Sequence, residues 1–467
     1  MGLGLRGSGA GRTWGLILAL FLAVVVYWLP LEGLTPAGHK ALALFAGIFV
    51  LYLSQALPLA ITSLAVVPLA VLWGIAPLRT ALRPFASPII FLLLGAFLLS
   101  AAMLETGLAN RLTFLILKKV GTTTFRITLG VTLVNIVLNF LIPSSTAKAA
   151  ILLPPCLSII SLFKERPCPR FATNLLLTLS FTTSVIAVGV LTGNVCNSIV
   201  NFYLGQAGGH ELLYLEWLQL GFPPALIMTF LSWFLIQKFF PPEEKGIPGG
   251  REFVLQSLKE MGPMDSRQKY TLGVFLVTVF LWVCGGWLHI DTTTACLFTS
   301  LFLFLPKWGP ITWKQASAQL HPDILLITAG GFSLGDLLMQ TGAAPWIAKR
   351  SFSLLGLDQL SAIVLLAAVV ILCQFLHVFF VGATVMCTSI LPILIAMGQQ
   401  AGLPPMYLLL PAGMIISGYP LQMFYCTTPS ILVYGTGKVD ITAFPKVGIP
   451  LSLIACLLYI LCGAKFW

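Results

Sequence analysis

Residues 139–155, NFLIPSSTAKAAILLPP, decide how the chain folds, because they break a long apolar stretch near its centre. The break carries Pro143, three hydroxyl side chains and one lysine, Lys148, and the apolar arms on either side extend it to 125–163. Backbone groups without hydrogen-bond partners are not tolerated in lipid, so irregular backbone at that depth must be packed inside protein. The stretch therefore predicts a re-entrant hairpin, which enters and leaves the membrane from one side.

The rest of the sequence has the composition of an all-α polytopic membrane protein. Of its 467 residues, 58% are hydrophobic and only 9% are charged, which is far from the usage of soluble proteins. Apolar windows of about 17 or more residues recur along the chain, whereas the strands of a membrane β-barrel would alternate over about 10 residues. We expect about 11 transmembrane helices and a second re-entrant hairpin, 358–400, which is broken at FVGATV.

Three internal similarities indicate that the chain contains two copies of one unit. LLGAFLLSAAMLETG (93–107) resembles AGGFSLGDLLMQTG (329–342), and STAKAAILLP (145–154) resembles ATVMCTSILP (383–392). Further on, NSIVNFYLGQAG (197–208) resembles SILVYGTG (430–437) at nearly the same offset. The first copy makes an odd number of crossings, so the second copy is inverted, as in many secondary transporters.

These repeats divide the chain into four segments. The first transmembrane span lies in 1–37, and it is expected to be retained because it lacks a small-x-small cleavage pattern. The N-terminal repeat, 38–240, contains the hairpin 125–163, and a charged cytoplasmic linker, 241–269, follows it. The inverted C-terminal repeat, 270–467, contains the hairpin 358–400. A stretch before the first hairpin, RLTFLILKKVGTTTFR (111–126), has the pattern of an amphipathic helix on the cytoplasmic surface.

The net charge of +11 has a topological explanation. Lys and Arg outside the predicted spans lie about three to one on one side, which is the positive-inside pattern. It predicts a protein of the cytoplasmic membrane with a cytoplasmic N-terminus and an external C-terminus, and it makes a nucleic-acid partner a poor interpretation. Ten cysteines and five histidines show no metal-ligand spacing, and no nucleophile elbow or phosphate loop indicates an enzyme. We expect neither a metal site nor a cofactor.

Polar residues that could bind a solute lie at the hairpin tips and in two interrupted spans. At the first tip, Ser145 or Thr146 can cap the helix that resumes there, and a helix N-terminus inside the membrane attracts an anion. The interrupted spans contain GVLTGNVCNSIVN (189–201) and YPLQMFYCTTPSILVYGTG (419–437). Unwound carbonyls there could bind a cation, and the amides and hydroxyls could bind a carboxylate.

Lys148 needs a partner, because a cation in the first turn of a buried helix opposes the helix dipole and loses its hydration. A dicarboxylate at the tip would provide one, and so would Glu105 or Asp336. The alternative is that Lys148 snorkels to the cytoplasmic surface, for which its stem is short. Another polar pair, His377 with Gln374, is predicted to make interhelical hydrogen bonds, with a proton-linked role as the alternative.

Four stretches, IPSSTAKAAILLP, TGNVCNSIV, GATVMCTSILP and TTPSILVYGTGKVDITAFPKVGIPLSLI, together resemble the divalent anion/sodium symporter family. The resemblance covers most of the chain and implies eleven spans, two re-entrant hairpins, an elevator-type movement and a homodimer. It implies di- or tricarboxylate or sulfate substrates, usually carried with sodium ions. The first tip is similar to the dicarboxylate-exchanger branch, whose PSNTAR motif places an arginine at Lys148. Those exchangers work without sodium, so a fixed cation could do part of the charge neutralisation.

The family motifs map onto this chain with substitutions. Both tips of the family read Ser-Asn-Thr, whereas here they read Ser144-Ser145-Thr146 and Gly382-Ala383-Thr384, without either asparagine. The residues and the resemblance together predict a substrate site that comprises Ser144, Ser145, Thr146, Lys148, Asn197, Thr384, Thr428 and Pro429. They predict a candidate cation site that comprises Ser144, Gly193, Asn194, Gly382, Ala383 and Thr427.

We therefore expect a secondary active transporter of a small divalent anion. A C4-dicarboxylate of the succinate, malate or fumarate type, coupled to sodium ions, is the first expectation. The alternatives are a sodium-independent exchanger of dicarboxylates or 2-oxoglutarate, and a transporter of an inorganic anion such as sulfate or arsenite. The expected partners are the anion, the lipid bilayer and a second copy of the chain.

Overall fold

The computed structural model describes residues 9–142, 144–163, 168–208, 210–380 and 382–465. These residues form 22 α-helices, and an isolated β-bridge joins Thr123 to Gly246. The helices are α1 Gly9–Trp28, α2 Pro36–Ser54, α3 Leu59–Leu72, α4 Leu78–Leu82, α5 Pro88–Glu105, α6 Leu108–Val120, α7 Thr124–Leu141, α8 Ser145–Ser161, α9 Pro169–Ala187, α10 Val195–Gly208, α11 Tyr214–Phe239, α12 Gly250–Glu260, α13 Ser266–Leu288, α14 Thr292–Phe302, α15 Trp313–Ala318, α16 Pro322–Gln340, α17 Ala343–Leu355, α18 Ala362–Leu376, α19 Ala383–Gln400, α20 Pro405–Gly418, α21 Thr428–Tyr434 and α22 Ala443–Lys465.

The all-α membrane fold class is confirmed. Nine segments of the described chain are helical, long and apolar enough to cross a membrane, and five further apolar helices of 10–17 residues accompany them. Two of the shorter helices, α8 and α18, belong to the predicted hairpins, and α20 belongs to a predicted interrupted span. Short helices of this kind are expected wherever the chain turns back or unwinds inside protein instead of crossing the bilayer.

The order of the helices repeats. Each helix from α2 to α11 has a counterpart from α13 to α22, and α1 and α12 each precede a repeat. Corresponding turns repeat as well: Gly107 before α6 and Gly342 before α17 both have a positive φ, of 68° and 81°. Glycine adopts this left-handed conformation without the steric cost that a side chain would add.

Both predicted hairpins are pairs of helices that are separated at the tip. In the first, α7 ends at Leu141 and α8 begins at Ser145, whereas in the second, α18 ends at Leu376 and α19 begins at Ala383. Pro143, which the sequence implicates in the first break, lies outside the described residues. The predicted interrupted spans are also broken, with α9 and α10 separated by 188–194 and α20 and α21 separated by 419–427.

The two repeats exchange partners at the centre of the molecule. The second arm of the first hairpin, α8, packs on α21 of the other repeat, and α19 packs on α10. Farther out, α3 packs on α16 and α5 packs on α14. This crossed packing brings the two hairpin tips and the two helix breaks to one place.

Two details differ from the sequence expectation. The linker 241–269 contains a helix, α12, which packs on α6. The predicted surface helix 111–126 is α6 followed by the start of α7, with Gly121 at φ 103° between them. Arg111 does not face the membrane surface: it is 7% exposed and donates to Gln268 Oε1 (2.7 Å) and to backbone carbonyls that follow α12. A buried guanidinium needs such acceptors, and the end of α12 provides unpaired carbonyls.

Candidate functional site

A cavity of about 180 Å³ lies where the tips and the breaks meet. It is lined by both hairpin tips, by residues at both helix breaks, and by single residues of α9, α16 and α20. These lining residues are Ser144, Ser145, Thr146, Ser184, Asn194, Val195, Cys196, Ile324, Gly382, Ala383, Thr384, Ser417, Cys426, Thr427, Thr428 and Pro429. We call it the central cavity.

At the first tip, Ser144 caps α8. Its Oγ accepts a hydrogen bond from the Ala147 backbone N–H at 3.2 Å, and its φ of −144° is that of extended backbone. The expectation that Ser145 or Thr146 is the cap is therefore wrong, because α8 already begins at Ser145. Neither of these side chains is used for capping, so both half-buried hydroxyls can serve a ligand in the central cavity.

The second tip has the same position but a different chemistry. Gly382 precedes α19 with φ 105°, and it provides no side-chain cap. This conformation is accessible to glycine, whereas a serine at this place would adopt it only with strain. The first N–H groups of α19 consequently receive no bond from Gly382, and Thr384 lies in the first turn with its Oγ1 3.9 Å from Cys196 Sγ. A helix N-terminus of this kind offers backbone donors to an anion.

A hydrogen-bonded network holds the first helix break in shape. Asn197 is fully buried, and its Nδ2 donates to the carbonyls of Ala187 (2.8 Å) and Val190 (2.7 Å). Ser417 Oγ donates to Asn197 Oδ1 and accepts from Asn194 Nδ2, both at 2.7 Å. The amide of Asn197 therefore supports the unwound backbone and does not face the central cavity.

The second break is fixed by Thr427, which caps α21. Its Oγ1 accepts from the Ser430 N–H at 3.2 Å and donates to Ser430 Oγ at 2.8 Å. Ser430 Oγ also lies 2.8 Å from Ser180 Oγ of the other repeat. Thr428 and Pro429, which the sequence predicts as site residues, line the central cavity in the first turn of α21.

Lys148 lies behind the first tip and is fully buried. Its Nζ donates to Asn139 Oδ1 at 2.5 Å and to the Gly193 carbonyl at 3.4 Å, so it joins the two arms of the first hairpin to the unwound segment 188–194. An ammonium has three N–H donors, and these two bonds use two of them. The proposed snorkelling to the cytoplasmic surface is wrong, because a fully buried side chain does not reach water.

The alternative partners of Lys148 are engaged elsewhere. Glu105 accepts hydrogen bonds from Gln315 (3.2 Å) and Gln319 (3.5 Å), and Asp336 lines a different cavity together with Arg83. The predicted acid–lysine pairs are therefore wrong. His377, which occupies in the second hairpin the place of Asn139 in the first, contacts the Ile415 carbonyl at 3.3 Å, which is the expected interhelical hydrogen bond.

Ten of the predicted site residues lie together. Ser144, Ser145, Thr146, Asn194, Gly382, Ala383, Thr384, Thr427, Thr428 and Pro429 all line the central cavity. Three others, Lys148, Gly193 and Asn197, lie behind its wall and contact the backbone of the first break. Their roles toward a ligand stay predictions.

Sequence reasoning missed several lining residues. Ser417 lies just before the second break, and its hydroxyl is identifiable only from the two asparagines that it contacts. Cys196 and Cys426 line the central cavity although cysteines in apolar spans are usually packing residues. Ser184 resembles an ordinary hydroxyl of a packed helix, because its Oγ donates to the Ser180 carbonyl one turn earlier at 3.1 Å. No sequence pattern singles these residues out.

Several features of the central cavity favour a small anion. Three long helices, α8, α10 and α19, and the short α21 begin at residues that line it, and the N-terminus of a long helix carries a partial positive charge. Hydroxyl groups of both tips add hydrogen-bond donors for an anion. Within the described ranges, no group of three His, Cys, Asp or Glu side chains could hold a metal ion. The arrangement can bind and release a small anion, and it contains no nucleophile paired with a base.

Known proteins resemble this chain over nearly its full length. A family model described as "Sodium:sulfate symporter transmembrane region" matches residues 10–467. A membrane protein of Cupriavidus necator is 30% identical, with 97% of this chain and 92% of the relative covered. A protein of Staphylococcus saprophyticus named sodium-dependent dicarboxylate transporter SdcS is 29% identical, with 98% and 91% covered, and its Staphylococcus aureus namesake is 27% identical, with 97% and 90% covered.

Two solved structures share the fold. The antimetabolite efflux pump MtrF of Neisseria gonorrhoeae has a TM-score of 0.57 at 13% identity and covers 99% of this chain and 96% of its own. The YdaH transporter of Alcanivorax borkumensis has a TM-score of 0.55 at 12% identity, with 98% and 97% covered. At such identities the likeness concerns the fold alone. The family model covers the chain from residue 10 to its last residue. The protein therefore belongs to the sodium:sulfate symporter family, the divalent anion/sodium symporters, and it is a multi-pass membrane transporter of a small anion and not an enzyme.

Proposed function

We propose that the protein carries small dicarboxylates of the C4 class across the membrane. The observation that supports this most directly is the convergence of α8, α10 and α19 on the central cavity. The N–H groups in the first turn of a helix lack intrahelical partners, so three such turns provide donors for two carboxylates. None of the described lining residues is acidic, so a dianion meets no like charge there.

The size and the two-sided shape of the central cavity support a short dianion. Its volume of about 180 Å³ lies below the roughly 300 Å³ at which pockets for drug-sized molecules begin. The two tips contribute hydroxyls from different repeats, Ser145 and Thr146 on one side and Thr384 on the other. A C4-dicarboxylate has one carboxylate for each side. The staphylococcal relatives, which are named dicarboxylate transporters, support the same substrate class.

Lys148 leads us to propose exchange of anions, although sodium symport is the first expectation from the sequence. Its ammonium contacts the Gly193 carbonyl, on the unwound backbone that could otherwise face a coupling cation. When the dianion leaves, this charge stays in the protein interior without a countercharge. Moving an uncompensated buried charge past apolar surroundings is costly, so the empty transporter should return slowly and a second anion should be needed for return.

Sodium symport is the second candidate. It is favoured by the second tip and the second break, where Gly382, Ala383 and Thr427 line the central cavity without a fixed cation. The printed name of the staphylococcal relatives, which includes sodium dependence, favours it as well. The two candidates therefore differ in the source of the positive charge that neutralises the anion. In exchange it is Lys148 behind the first tip, and in symport it is a sodium ion bound near the second tip.

Counterflow into proteoliposomes tests both candidates. Purified protein is reconstituted in sodium-free choline buffer with or without internal succinate, and uptake of labelled succinate is measured with and without an inward sodium gradient. Exchange predicts uptake that requires internal succinate and ignores sodium. Uptake into empty vesicles that requires sodium would replace exchange by symport. Absence of succinate uptake under all conditions would overturn the substrate class, and direct uptake of labelled citrate, sulfate and arsenite then identifies the anion.

The arrangement in the membrane belongs to the same proposal. We infer a cytoplasmic N-terminus, an external C-terminus and a location in the cytoplasmic membrane from the distribution of Lys and Arg along the sequence. The resemblance to the family supports a homodimer and an elevator-type movement of the hairpins and interrupted helices. Cysteine accessibility at the two termini in intact cells tests the orientation, and light scattering of the purified protein tests the dimer.

A further inference from the structure

A second cavity, of about 560 Å³, lies at the beginning of α5. Arg83 and Ser87 line it from the turn before α5, Tyr203 and Gln206 from the end of α10, and Asp336 from α16. We call it the Arg83 cavity. None of the residues that line the central cavity lines it.

Two buried hydroxyls of the Arg83 cavity lack a hydrogen-bond partner. Ser87 is 6% exposed and Tyr203 is 2% exposed, yet neither Ser87 Oγ nor the Tyr203 hydroxyl is bonded to any described residue. A buried hydroxyl without a partner costs about 1–3 kcal/mol, so such groups are usually satisfied by something. Both oxygens are closed off from solvent, so a ligand in the cavity reaches them only when these side chains turn toward it, and the exposed Arg83 is the group that it meets first.

The charge of the Arg83 cavity identifies the kind of ligand. The Arg83 side chain is exposed, and within the described part of the chain its guanidinium makes no hydrogen bond and no ion pair within 4 Å. A guanidinium can bind a carboxylate through two parallel hydrogen bonds. Ser87 occupies the N-cap position of α5 without capping it, so the first turn of this 18-residue helix also keeps free donors. Both features favour a carboxylate.

Asp336 opposes such a ligand from the other side. It is half-buried, and the positive charge of Arg83 is near enough to act on it electrostatically. Its carboxylate therefore competes with an incoming anion for Arg83. Removal of the Asp336 charge should consequently strengthen anion binding, whereas removal of the Arg83 charge should weaken it.

The two cavities are connected by two helices. α10 begins at the central cavity with Val195 and reaches the Arg83 cavity at Tyr203, which is about 12 Å along the helix axis. α19 begins at the central cavity with Ala383 and reaches the Arg83 cavity at Ile395, which is about 18 Å. A shift of these helices by a comparable distance would bring the central cavity level with Arg83.

The internal repeat gives the Arg83 cavity a counterpart. Ile324, in the first turn of α16, lines the central cavity, and α5 is the counterpart of α16 in the other repeat. Pro88, in the first turn of α5, lines the Arg83 cavity. In a transporter with inverted repeats, the outward-facing and inward-facing states are related through the repeats. An element in one state therefore has the surroundings that its counterpart has in the other state. The first turn of α5 should therefore border the substrate in the opposite state.

We propose that the Arg83 cavity is a loading site, in which Arg83, Ser87 and Tyr203 bind a carboxylate of the transported anion on the membrane face where α5 begins. This proposal rests on the proposed function, since the ligand is the transported dianion. Arg83 raises the local concentration of the anion at one face and does not bind it in the central cavity.

The test compares transport from the two faces of the membrane. Uptake of labelled succinate is measured in intact expressing cells and in inside-out vesicles made from them, for Arg83→Gln, Arg83→Lys and Asp336→Asn. Arg79→Gln is the matched control, because Arg79 is an exposed arginine of α4 that does not line the cavity. Size-exclusion profiles and membrane abundance of each variant exclude misfolding.

We expect Arg83→Gln to raise KM on the order of tenfold in one of the two preparations only, with an unchanged maximal rate. Arg83→Lys should stay within about twofold to threefold of the parent protein because it keeps the charge, and Asp336→Asn should lower KM in the same preparation. A KM of Arg83→Gln equal to that of Arg79→Gln on both faces would overturn the loading site. So would an equal rise on both faces, which a structural defect would produce.

Two further measurements separate this proposal from related ones. If the parent protein transports no dicarboxylate, the proposed function fails, and the same KM comparison made with labelled sulfate still tests Arg83 as an oxyanion site. Reconstitution in purely zwitterionic lipid and in lipid that contains phosphatidylglycerol identifies a lipid phosphate as the ligand. A KM effect of Arg83→Gln that is present only with the anionic lipid would overturn substrate loading.

Discussion

Replacement of Lys148 by methionine isolates the role of the buried charge. Methionine keeps an unbranched apolar stem of similar length, so the packing around this fully buried position should change little. The substitution removes the bonds to Asn139 Oδ1 and to the Gly193 carbonyl. Of the two basic residues in the described hairpin residues 124–142 and 144–161, Arg126 lies at the beginning of α7, so the substitution removes the one positive charge near the first tip.

The expected size of the effect follows from the position of Lys148 on α8. Lys148 lies two residues after Thr146, which is about 3 Å along the helix axis, and its stem leads away from the central cavity toward Asn139. A carboxylate held by Thr146 would then lie on the order of 7 Å from the ammonium, where one charge pair is worth about 2 kcal/mol at an effective dielectric constant of about 20. This corresponds to roughly a thirtyfold weaker apparent affinity.

The assay is counterflow of labelled succinate in sodium-free proteoliposomes. Lys148→Met should show roughly thirtyfold weaker apparent affinity for succinate, and sodium should restore part of it, because the Gly193 carbonyl becomes available to a cation. Lys119→Met, which removes an exposed lysine of α6, is the control and should behave as the parent protein. The thermal midpoint without substrate should not fall, because loss of a buried charge also removes its desolvation cost.

An unchanged affinity of Lys148→Met in sodium-free medium would refute the reasoning, provided that the purified variant is monodisperse. A fall in the thermal midpoint together with lost transport would also contradict it, since the lysine would then be structural. Restoration by potassium as effectively as by sodium would leave the charge argument intact but would remove sodium selectivity from it.

Three further substitutions have defined expectations. Ser417→Ala removes the bridge between Asn194 and Asn197, so we expect a loss of about 1–3 kcal/mol, seen as a lower thermal midpoint and a raised KM, with Ser417→Thr as the control that keeps the hydroxyl. Gly193→Ala should abolish most transport, because the new Cβ would collide with the Ala187 carbonyl oxygen and lie 2.9 Å from Asn139 Oδ1; near-normal uptake would contradict the tight packing of this break. Arg111→Met deletes four hydrogen bonds, to Gln268 and to the carbonyls that follow α12. Arg111 is 7% exposed, unlike the fully buried Lys148, so its desolvation costs less than these bonds contribute, and the thermal midpoint should fall by an amount equivalent to about 3 kcal/mol; an unchanged midpoint would show that these bonds do not hold α6 to α12.

Hydrophobic runs and internal repetition were sufficient to predict the membrane fold and the two broken hairpins. Apolar length determines whether a helix can span lipid, and this property can be read from local sequence. The four elements of the central cavity were also predictable, because prolines, glycines and hydroxyls interrupt apolar runs at matching places in the two repeats. Local pattern is informative wherever the backbone itself must deviate from a helix.

Contacts between distant residues were not predictable in the same way. Asn197 was expected to face the substrate, but it donates to the carbonyls of Ala187 and Val190, which become acceptors only once α9 has ended. Arg111 belongs to a stretch that was expected to form an amphipathic helix on the cytoplasmic surface, but its side chain is buried, and the end of α12, some 150 residues later, supplies its acceptors. In both cases the partner is a backbone carbonyl, and the identity of a residue in the sequence does not reveal whether its carbonyl is free.

The two tips use the same helix order with opposite chemistry. The first tip has the hydroxyls of Ser144, Ser145 and Thr146 and a lysine close behind, whereas at the second tip Gly382 and Ala383 take the places of Ser144 and Ser145, and Met386 takes that of Lys148. Small residues let a ligand approach the backbone N–H groups of α19, so the second tip can bind through its helix terminus alone. An anion between the tips therefore meets the positive charge of Lys148 on the side of the first tip, whereas on the side of the second tip it loses water and gains only backbone N–H donors. This asymmetry predicts that substitutions at the first tip change the ion dependence of transport, whereas enlarging Ala383 to valine changes mainly the size of the anion that is accepted.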